Sequence, residues 1–329
     1  MTAARFRVGV IGMGRIAVGF DEPAGPAIRT HLKGILADPR FELACVADID
    51  QGRARAELER FGVKADIAAP EALAVADLDV LCIASPDDTH LDLAQRAASG
   101  RSRVVLVEKP LGGTQAQQKV LVERFAARGA ELSIDHTRRW IPKVANWIAE
   151  AKSGAFGPPV SGVVHYSRGL RHNGIHAFDL IGAFFGTAVS NVKTIAPAID
   201  DYASSDPTHS LVVTVNAAER HIPVVMLGVD GRIQSEFSVD LRFEQARVHI
   251  FDQDGIRADL YRPADSGFSG FAPELRPVEA FHDDPRRLFG ILWNNIADHL
   301  DGKASLASAG VDGLVGYELM DCVVRQVSP

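Results

Sequence analysis

Short apolar runs broken by glycines and polar clusters set the rhythm of the first 135 residues. Phe6–Ile11 has the β-rich composition of a strand and is broken by Gly12-Met13-Gly14. A second run, Phe41–Ala47, ends in Asp48-Ile49-Asp50. Between them the spacing over 27–36 predicts a helix, and the breaker-rich stretch 18–26 predicts an unusually long loop. Residues 52–61 form a helical segment stopped by Gly62, and 80–84, 104–107 and 131–134 supply further short strands with helical segments between them. Alternating strands and helices, with strands apolar throughout, predict an α/β domain over 1–135. Its core is a doubly wound parallel (Rossmann) sheet covered on both faces.

The pattern then changes. A helix is expected over Pro142–Lys152, a strand over 160–167 and a helix over 175–185 that stops at Gly186. Closely spaced strands follow at 192–195, 210–215, 222–229, 235–243 and 246–251. The last segment, 309–327, carries Leu314, Leu319, Met320 and Val323 at helical spacing and predicts a packed terminal helix. Residues 136–329 are therefore expected to form a C-terminal α+β domain around a large, mostly antiparallel open sheet, with no internal repeat.

Composition narrows the function classes. The 329 residues suit two domains, and 47% hydrophobic with 23% charged residues supplies ample core. A net charge of -7 argues against a nucleic-acid partner, which calls for a basic face. Cys45, Cys82 and Cys322 sit apart in apolar segments, as reduced core cysteines of a cytoplasmic protein do, rather than in a metal or disulfide pattern. Gly12, Gly14 and Arg15 interrupt the first apolar run, so no export segment is expected. No run approaches the ~20 apolar residues of a membrane span.

Candidate chemistry falls on strand ends. Gly12-Met13-Gly14-Arg15-Ile16-Ala17 follows the first strand, where small residues let the backbone approach a pyrophosphate; the bland alternative is a structural glycine turn. Asp48, ending the second strand, is the candidate acceptor for ribose hydroxyls. Its carboxylate would repel a 2′-phosphate and favour NAD(H), without excluding NADP(H), for which Arg15 or Arg53 would supply phosphate contacts. A solvated or capping aspartate describes Asp50 better.

Ser85-Pro86 can line the cofactor cleft, with His90 as a helix-start residue, and Glu108 can orient the loop that bears Lys109. An ammonium at Lys109 can polarise a carbonyl or exchange a proton with a hydroxyl; alone, it would be a surface lysine with a packed stem. His176 is a second proton-transfer candidate, and Asp179, one helical turn on, can orient it or merely stabilise the helix.

Taken in order, Gly12-x-Gly14-x-x-Ala17, Ser85-Pro86 with His90, Glu108-Lys109-Pro110, Arg138-Arg139-Trp140 and Gly174-x-His176-x-x-Asp179 resemble the glucose-fructose oxidoreductase, inositol dehydrogenase and MocA family over nearly the whole chain. The resemblance implies cofactor contacts from Gly12, Gly14, Arg15, Ile16, Asp48, Ser85, Pro86, His90, Glu108 and Lys109. It also implies that Lys109 and His176 face the substrate, and that homodimers or homotetramers assemble through the open sheet. Family members often carry an aspartate four residues before the histidine, where this chain has His172. The departure leaves Lys109 or His176 as the acid-base group, with His172 and Asn173 orienting substrate. The stretch from Tyr166 to Gly174 is similar to a subgroup acting in sugar or nucleotide-sugar metabolism.

The sequence thus favours an NAD-dependent oxidoreductase of a sugar-like CH-OH substrate, the alternative being a cofactor-binding sensor without turnover. Arg168 and Arg171, with Arg138, Arg139, His136 and His172, could make a cationic field for a nucleotide sugar or sugar acid, or else form internal pairs. The 18–26 loop is a possible lid over that substrate.

Overall fold

The computed structural model describes residues 5–252, 255–267, 270, 272–282 and 287–327. The chain divides into two compact units, Met1–Ile141 with Arg286–Gly313, and Pro142–Pro285 with Leu314–Pro329. The division differs from a single crossing at 135/136, because a late segment returns to the first unit.

In the first unit β1 (Phe6–Ile11), β2 (Phe41–Ala47), β3 (Asp66–Ala68), β4 (Val80–Ile83), β5 (Val104–Glu108) and β6 (Glu131–Asp135) form a sheet in the order β3-β2-β1-β4-β5-β6. Every pair is parallel. The order reverses between β1 and β4, and doubly wound sheets bind ligands outside the carboxyl ends of their strands at such a point. Each residue of β4 and β5 is buried, as their uninterrupted apolar sequences require. Helices α1 (His31–Ala37), α2 (Gln51–Phe61), α3 (Pro70–Ala74), α4 (His90–Ala97) and α5 (Gln115–Ala127) alternate with the strands.

Two local rules set the first crossover. After the glycine turn the chain makes a single five-residue π-helical turn, Arg15–Gly19. Helix α1 then starts at His31 rather than 27, because the Thr30 side chain caps it by accepting from Lys33 N at 3.3 Å. Buried Asp21 anchors the intervening loop: its Oδ2 accepts from Arg29 N (2.7 Å) and the Thr30 hydroxyl (2.8 Å). Lys33 donates to the carbonyl of Gly25. The loop is thus tied to the start of α1.

The second unit holds α6 (Pro142–Lys152), β7 (Pro159–Tyr166), α7 (Gly174–Phe185), β8 (Val189–Thr194), β9 (Ile199–Ala203), β10 (Asp206–Thr208), β11 (Leu211–Ala217), β12 (Arg220–Gly228), β13 (Phe237–Phe243), β14 (Arg247–Asp252), β15 (Ile256–Ala264) and β16 (Glu274–Phe281). Beyond α8 (Leu288–Leu300), which belongs to the first unit, α9 (Val315–Val327) completes it. Eight strands form one sheet, β16-β15-β14-β13-β7-β12-β11-β8, antiparallel throughout except for the parallel pair β7–β12; β9 and β10 form a separate hairpin. Alternate burial along β13 marks one covered and one open face. Helix α7 crosses α9 closely: a Cβ on Gly316 would lie 2.8 Å from the Asp179 backbone. Among the described residues no helix is long and apolar enough to cross a membrane.

The terminal helix begins at Val315, not 309, because Ala309 bridges to Ser133 beside β6 and 310–314 form a 3-10 turn. The sequence reading named neither β15 and β16 nor α8. Helix α8 packs on α1, with Trp293 edge-on to Phe41 (5.2 Å between ring centres) and to His31 (6.0 Å). Gly34 makes this crossing possible, since a Cβ there would lie 2.3 Å from the Trp293 ring and 2.7 Å from the Phe289 carbonyl.

Gly34→Ala tests this packing against propensity. Alanine should gain about 1 kcal/mol within a helix, whereas forcing atoms into a filled contact costs about 1–3 kcal/mol. We expect a net loss in urea denaturation; a gain would contradict the α1–α8 contact.

Candidate active site

The carboxyl edge of the parallel sheet gathers the first set of candidate residues. Gly12, at φ +93°, turns directly against the end of β4: a Cβ would lie 2.5 Å from the Ala84 carbonyl oxygen and 2.6 Å from Ser85 N. Only glycine fits such a contact in that conformation. Its N–H donates to the Ala47 carbonyl (2.7 Å), so the turn is held between β2 and β4. A Cβ on Gly14 would meet nothing within 4 Å, which leaves that backbone open to close approach. Arg15 is exposed, Ile16 is packed on the core, and Ala17 is fully buried. These features fit the pyrophosphate-binding turn of a dinucleotide site.

Asp48 has a structural role that the sequence did not show. It is buried, and its carboxylate accepts from Met13 N (2.8 Å), Asp50 N (2.8 Å) and the Arg53 guanidinium (Nη2 at 2.6 Å, Nε at 3.2 Å). A carboxylate offers about four acceptor positions, so Asp48 first ties the glycine turn to β2 and α2. Burial pushes its carboxyl up, but the Arg53 hydrogen bonds and the two backbone N–H groups outweigh that and hold it below the usual range. The half-exposed Arg53 also offsets the negative charge on which discrimination against a 2′-phosphate was to rest.

His90, the first residue of α4, is buried and joins two loops. Nδ1 lies 2.7 Å from the Pro110 carbonyl and Nε2 2.8 Å from the Ser85 carbonyl. Carbonyls only accept, so satisfying both takes an N–H on each ring nitrogen. Ser85 Oγ and Thr89 Oγ1 pair at 2.6 Å. His90 thus fixes Ser85-Pro86 relative to Lys109-Pro110 and acts through them.

Lys109 follows the end of β5, its side chain mostly withdrawn from water. Burial pushes its ammonium below the usual lysine value against the charges of Glu108, Asp87 and Asp135, and Arg138 adds to the lowering. Glu108 is the cross-strand partner of Asp135. It points into a buried group, with Oε1 3.0 Å from His31 Nε2. His31, Glu108 and Asp135 are the one set of three potential metal ligands brought together among the described residues. Sequence reasoning missed His31 and Asp135: they lie 104 positions apart, one at the start of α1 and the other at the end of β6. Arg138 and Arg139, candidates for a cationic field, are buried, and Arg139 donates to the Asp312 carbonyl.

The second unit carries the other candidates. Of the residues in α7 only His176 is partly exposed; its ring meets that of Phe237 edge-on at 6.2 Å. The segment before it is clamped by the β9–β10 hairpin. Asp201 Oδ2 accepts from Arg168 N (2.7 Å) and Gly231 N (2.9 Å), while Asp206 accepts from Arg171 N (2.8 Å) and His172 N (2.9 Å). Thr208 Oγ1 accepts from Gly169 N (2.7 Å). Arg168 is thereby held at φ +66°, with its guanidinium 5.7 Å from the Tyr202 ring centre. His172 stacks on Tyr202 at 4.1 Å, and Asn173 Nδ2 donates to the Ser167 carbonyl (2.9 Å). Asp201, Tyr202 and Asp206 carried no sequence signal, because they act on a segment some 30 residues earlier. Asp179 is buried where α7 meets α9.

Known proteins agree with this geometry. Residues 6–136 match the model of an oxidoreductase family with an NAD-binding Rossmann fold, and that class describes the first unit. The chain is similar to inositol 2-dehydrogenase of Rhizobium meliloti (strain 1021), 23% identical over 98% of this chain and 97% of that protein. It is similar also to D-apiose dehydrogenase of Paraburkholderia graminis, 27% identical over 80% and 74% of the two chains. A crystal structure of an oxidoreductase from Agrobacterium radiobacter in complex with NAD+, L-tartaric acid and magnesium shares the fold, with a TM-score of 0.71 at 17% identity, covering 98% and 96% of the two chains. These matches support the resemblance to the Gfo/Idh/MocA oxidoreductases, with the family's NAD-binding domain at residues 6–136.

Proposed function

We propose that the protein is an NAD(P)-dependent dehydrogenase or reductase that moves hydride between nicotinamide and a CH-OH carbon of a sugar-like substrate. The observation that carries this reading is Lys109: a lysine withdrawn from water, with a depressed pKa, at the carboxyl edge of a sheet that also presents the Gly12–Gly14 turn. Gly12, Gly14 and Arg15 would hold the cofactor's phosphates, with Asp48 and Arg53 at its ribose. When bound, the dinucleotide supplies a hydride acceptor or donor.

The chain's own residues handle the proton. In the oxidation direction the neutral Lys109 amine takes the hydroxyl proton; in reduction its ammonium polarises the carbonyl and returns that proton. His176 binds a substrate hydroxyl and is the second proton-exchange candidate. His172 and Asn173, fixed by Tyr202 and the Ser167 carbonyl, orient the substrate. This assignment gives a use to both Lys109 and His176, which a sensor without turnover does not need.

A neutral polyol or sugar is the favoured substrate class. The relatives are named for inositol and apiose, and Asp201 and Asp206 bring two carboxylates against the backbone of Arg168 and Arg171, which disfavours an anion there. A sugar acid or nucleotide sugar is the second reading, supported by the exposed positions of both arginines. NAD(H) is the favoured cofactor because Asp48 keeps its negative charge, with Arg53 making NADP(H) a closer competitor. The open face of the eight-stranded sheet, which includes exposed Val160 and Val163, supports assembly into homodimers or homotetramers.

Two measurements test the reading. Formation of NADH or NADPH, followed by absorbance with neutral polyols, free sugars, a uronate and nucleotide sugars, should favour NAD+ with a neutral compound. Lys109→Met or His176→Ala should lose at least ~100-fold in kcat/KM while remaining folded. Full turnover in both variants would contradict the site, and equal use of NADP+ would contradict the cofactor preference. Light scattering should give two or four chains per particle; the mass of one chain would contradict the assembly.

A further inference from the structure

The group beneath Lys109 contains more ionisable chemistry than hydride transfer uses. Glu108 and Asp135 end adjacent strands in direct register, and His31 opens α1 above them. Their nearest ligand-type atoms all lie within 4.8 Å of one another. His31 is fully buried, Asp135 is 1% exposed and Glu108 8%. Helix α8 covers the imidazole with the edge-on ring of Phe289 at 4.8 Å. Trp140 Nε1 donates to Asp135 Oδ1 (3.1 Å), whereas Asp135 Oδ2, 3.9 Å from His31 Nε2, is buried without a hydrogen-bond partner.

Two buried carboxylates so close cannot both ionise at low cost. The surroundings divide them. Burial pushes Glu108 up, but the His31 hydrogen bond and the His31 and Lys109 charges reverse that and hold it below the usual range. Asp135 is pushed up to about 8, by burial first and then by the Glu108 charge.

We propose that the Glu108–Asp135 pair, closed off by His31, holds one shared proton and that Asp135 is a positioning residue that sets the charge of Lys109. With the proton present, the two carboxyl groups that act on Lys109 carry a single negative charge. When it leaves, a second negative charge stabilises the ammonium. Rising pH therefore opposes its own effect on Lys109, and the lysine titrates over a broadened range.

The other titratable groups facing this region are Cys82 on β4, Asp87 before α4, His90 on α4, and His136 and Arg138 after β6. The first two are acids, and burial pushes the Cys82 thiol well up. α8 presents aromatic rings. The catalytic consequence rests on Lys109 being the proton-exchanging group proposed above; the charge coupling does not.

The test uses the full chain without substrate. Lys109 is labelled with trace acetic anhydride across pH 6–11, and its peptide is quantified by mass spectrometry in wild type and Asp135→Asn, which retains an acceptor for Trp140. Wild type should show a curve shallower than a one-proton titration. Asp135→Asn should show a one-proton curve with its midpoint lower by about one unit. Superimposable curves would overturn the proposal.

Should Asp135→Asn not fold, Trp140→Phe serves instead. Loss of its hydrogen bond to the ionised carboxylate should move the broad region to higher pH, and an unchanged curve would overturn the proposal. One equivalent of divalent metal per chain by elemental analysis would also overturn it, since the three side chains would then share an ion rather than a proton. A labelling shift without turnover on any polyol would leave the coupling standing and reject the dehydrogenase reading.

Discussion

Two carboxyl groups and an ammonium sit at the ends of adjacent buried strands, and each charge withdrawn from water costs several kcal/mol unless it is paired or neutralised. The neighbouring elements reflect that constraint. Helix α1 starts with His31, whose imidazole meets Glu108, and the turn after β6 supplies Trp140 to Asp135. Helix α8 returns from a distant part of the sequence to cover His31, and Gly34 admits its tryptophan. The first unit therefore includes a segment, Arg286–Gly313, that interrupts the second in sequence. Lys109 beside this group is itself largely withdrawn from water, which lowers its proton affinity.

The rest of the carboxyl edge is held by short polar ties rather than by extended packing. Asp48 fixes the glycine turn to α2, and His90 fixes the Ser85 and Pro110 loops to each other. Such ties hold the glycine turn and Lys109 on one sheet edge, as preorganised chemistry requires. In the second unit, two aspartates and a threonine of a small hairpin hold the backbone of the Arg168–His172 stretch, and a single partly exposed histidine emerges from an otherwise buried helix. Both units bring polar side chains to the surface on elements whose other faces are buried.

Much of this was legible in the sequence. The strands at Phe6–Ile11 and Phe41–Ala47 and the helix Pro142–Lys152 follow from apolar period and flanking breakers alone. Gly12 and Lys109 were legible because they sit at the ends of such runs. Helix α8 was missed although Leu288, Leu292, Ile296 and Leu300 repeat at helical spacing; that signal was present. Strand β16 carries almost none, with six of its eight residues exposed and Pro277 in its middle. His31 and Asp135 were out of reach for a different reason: sheet register brings Asp135 to Glu108, and the start of α1 brings His31, neither of which sequence spacing shows. Asp48 was found for its position but given too simple a role, because its four donors become visible only once β2, α2 and the glycine turn are assembled.

The central claim is hydride transfer from a hydroxyl-bearing carbon, and isotope transfer measures it most directly. The protein would be incubated with NAD+ and a set of polyols deuterated at their carbinol carbons, and the reduced cofactor analysed by mass spectrometry. The account predicts one deuterium per reduced nicotinamide for at least one polyol, lost in parallel with turnover in Lys109→Met. Reduced cofactor carrying only protium, or none formed with any polyol or sugar, would contradict it.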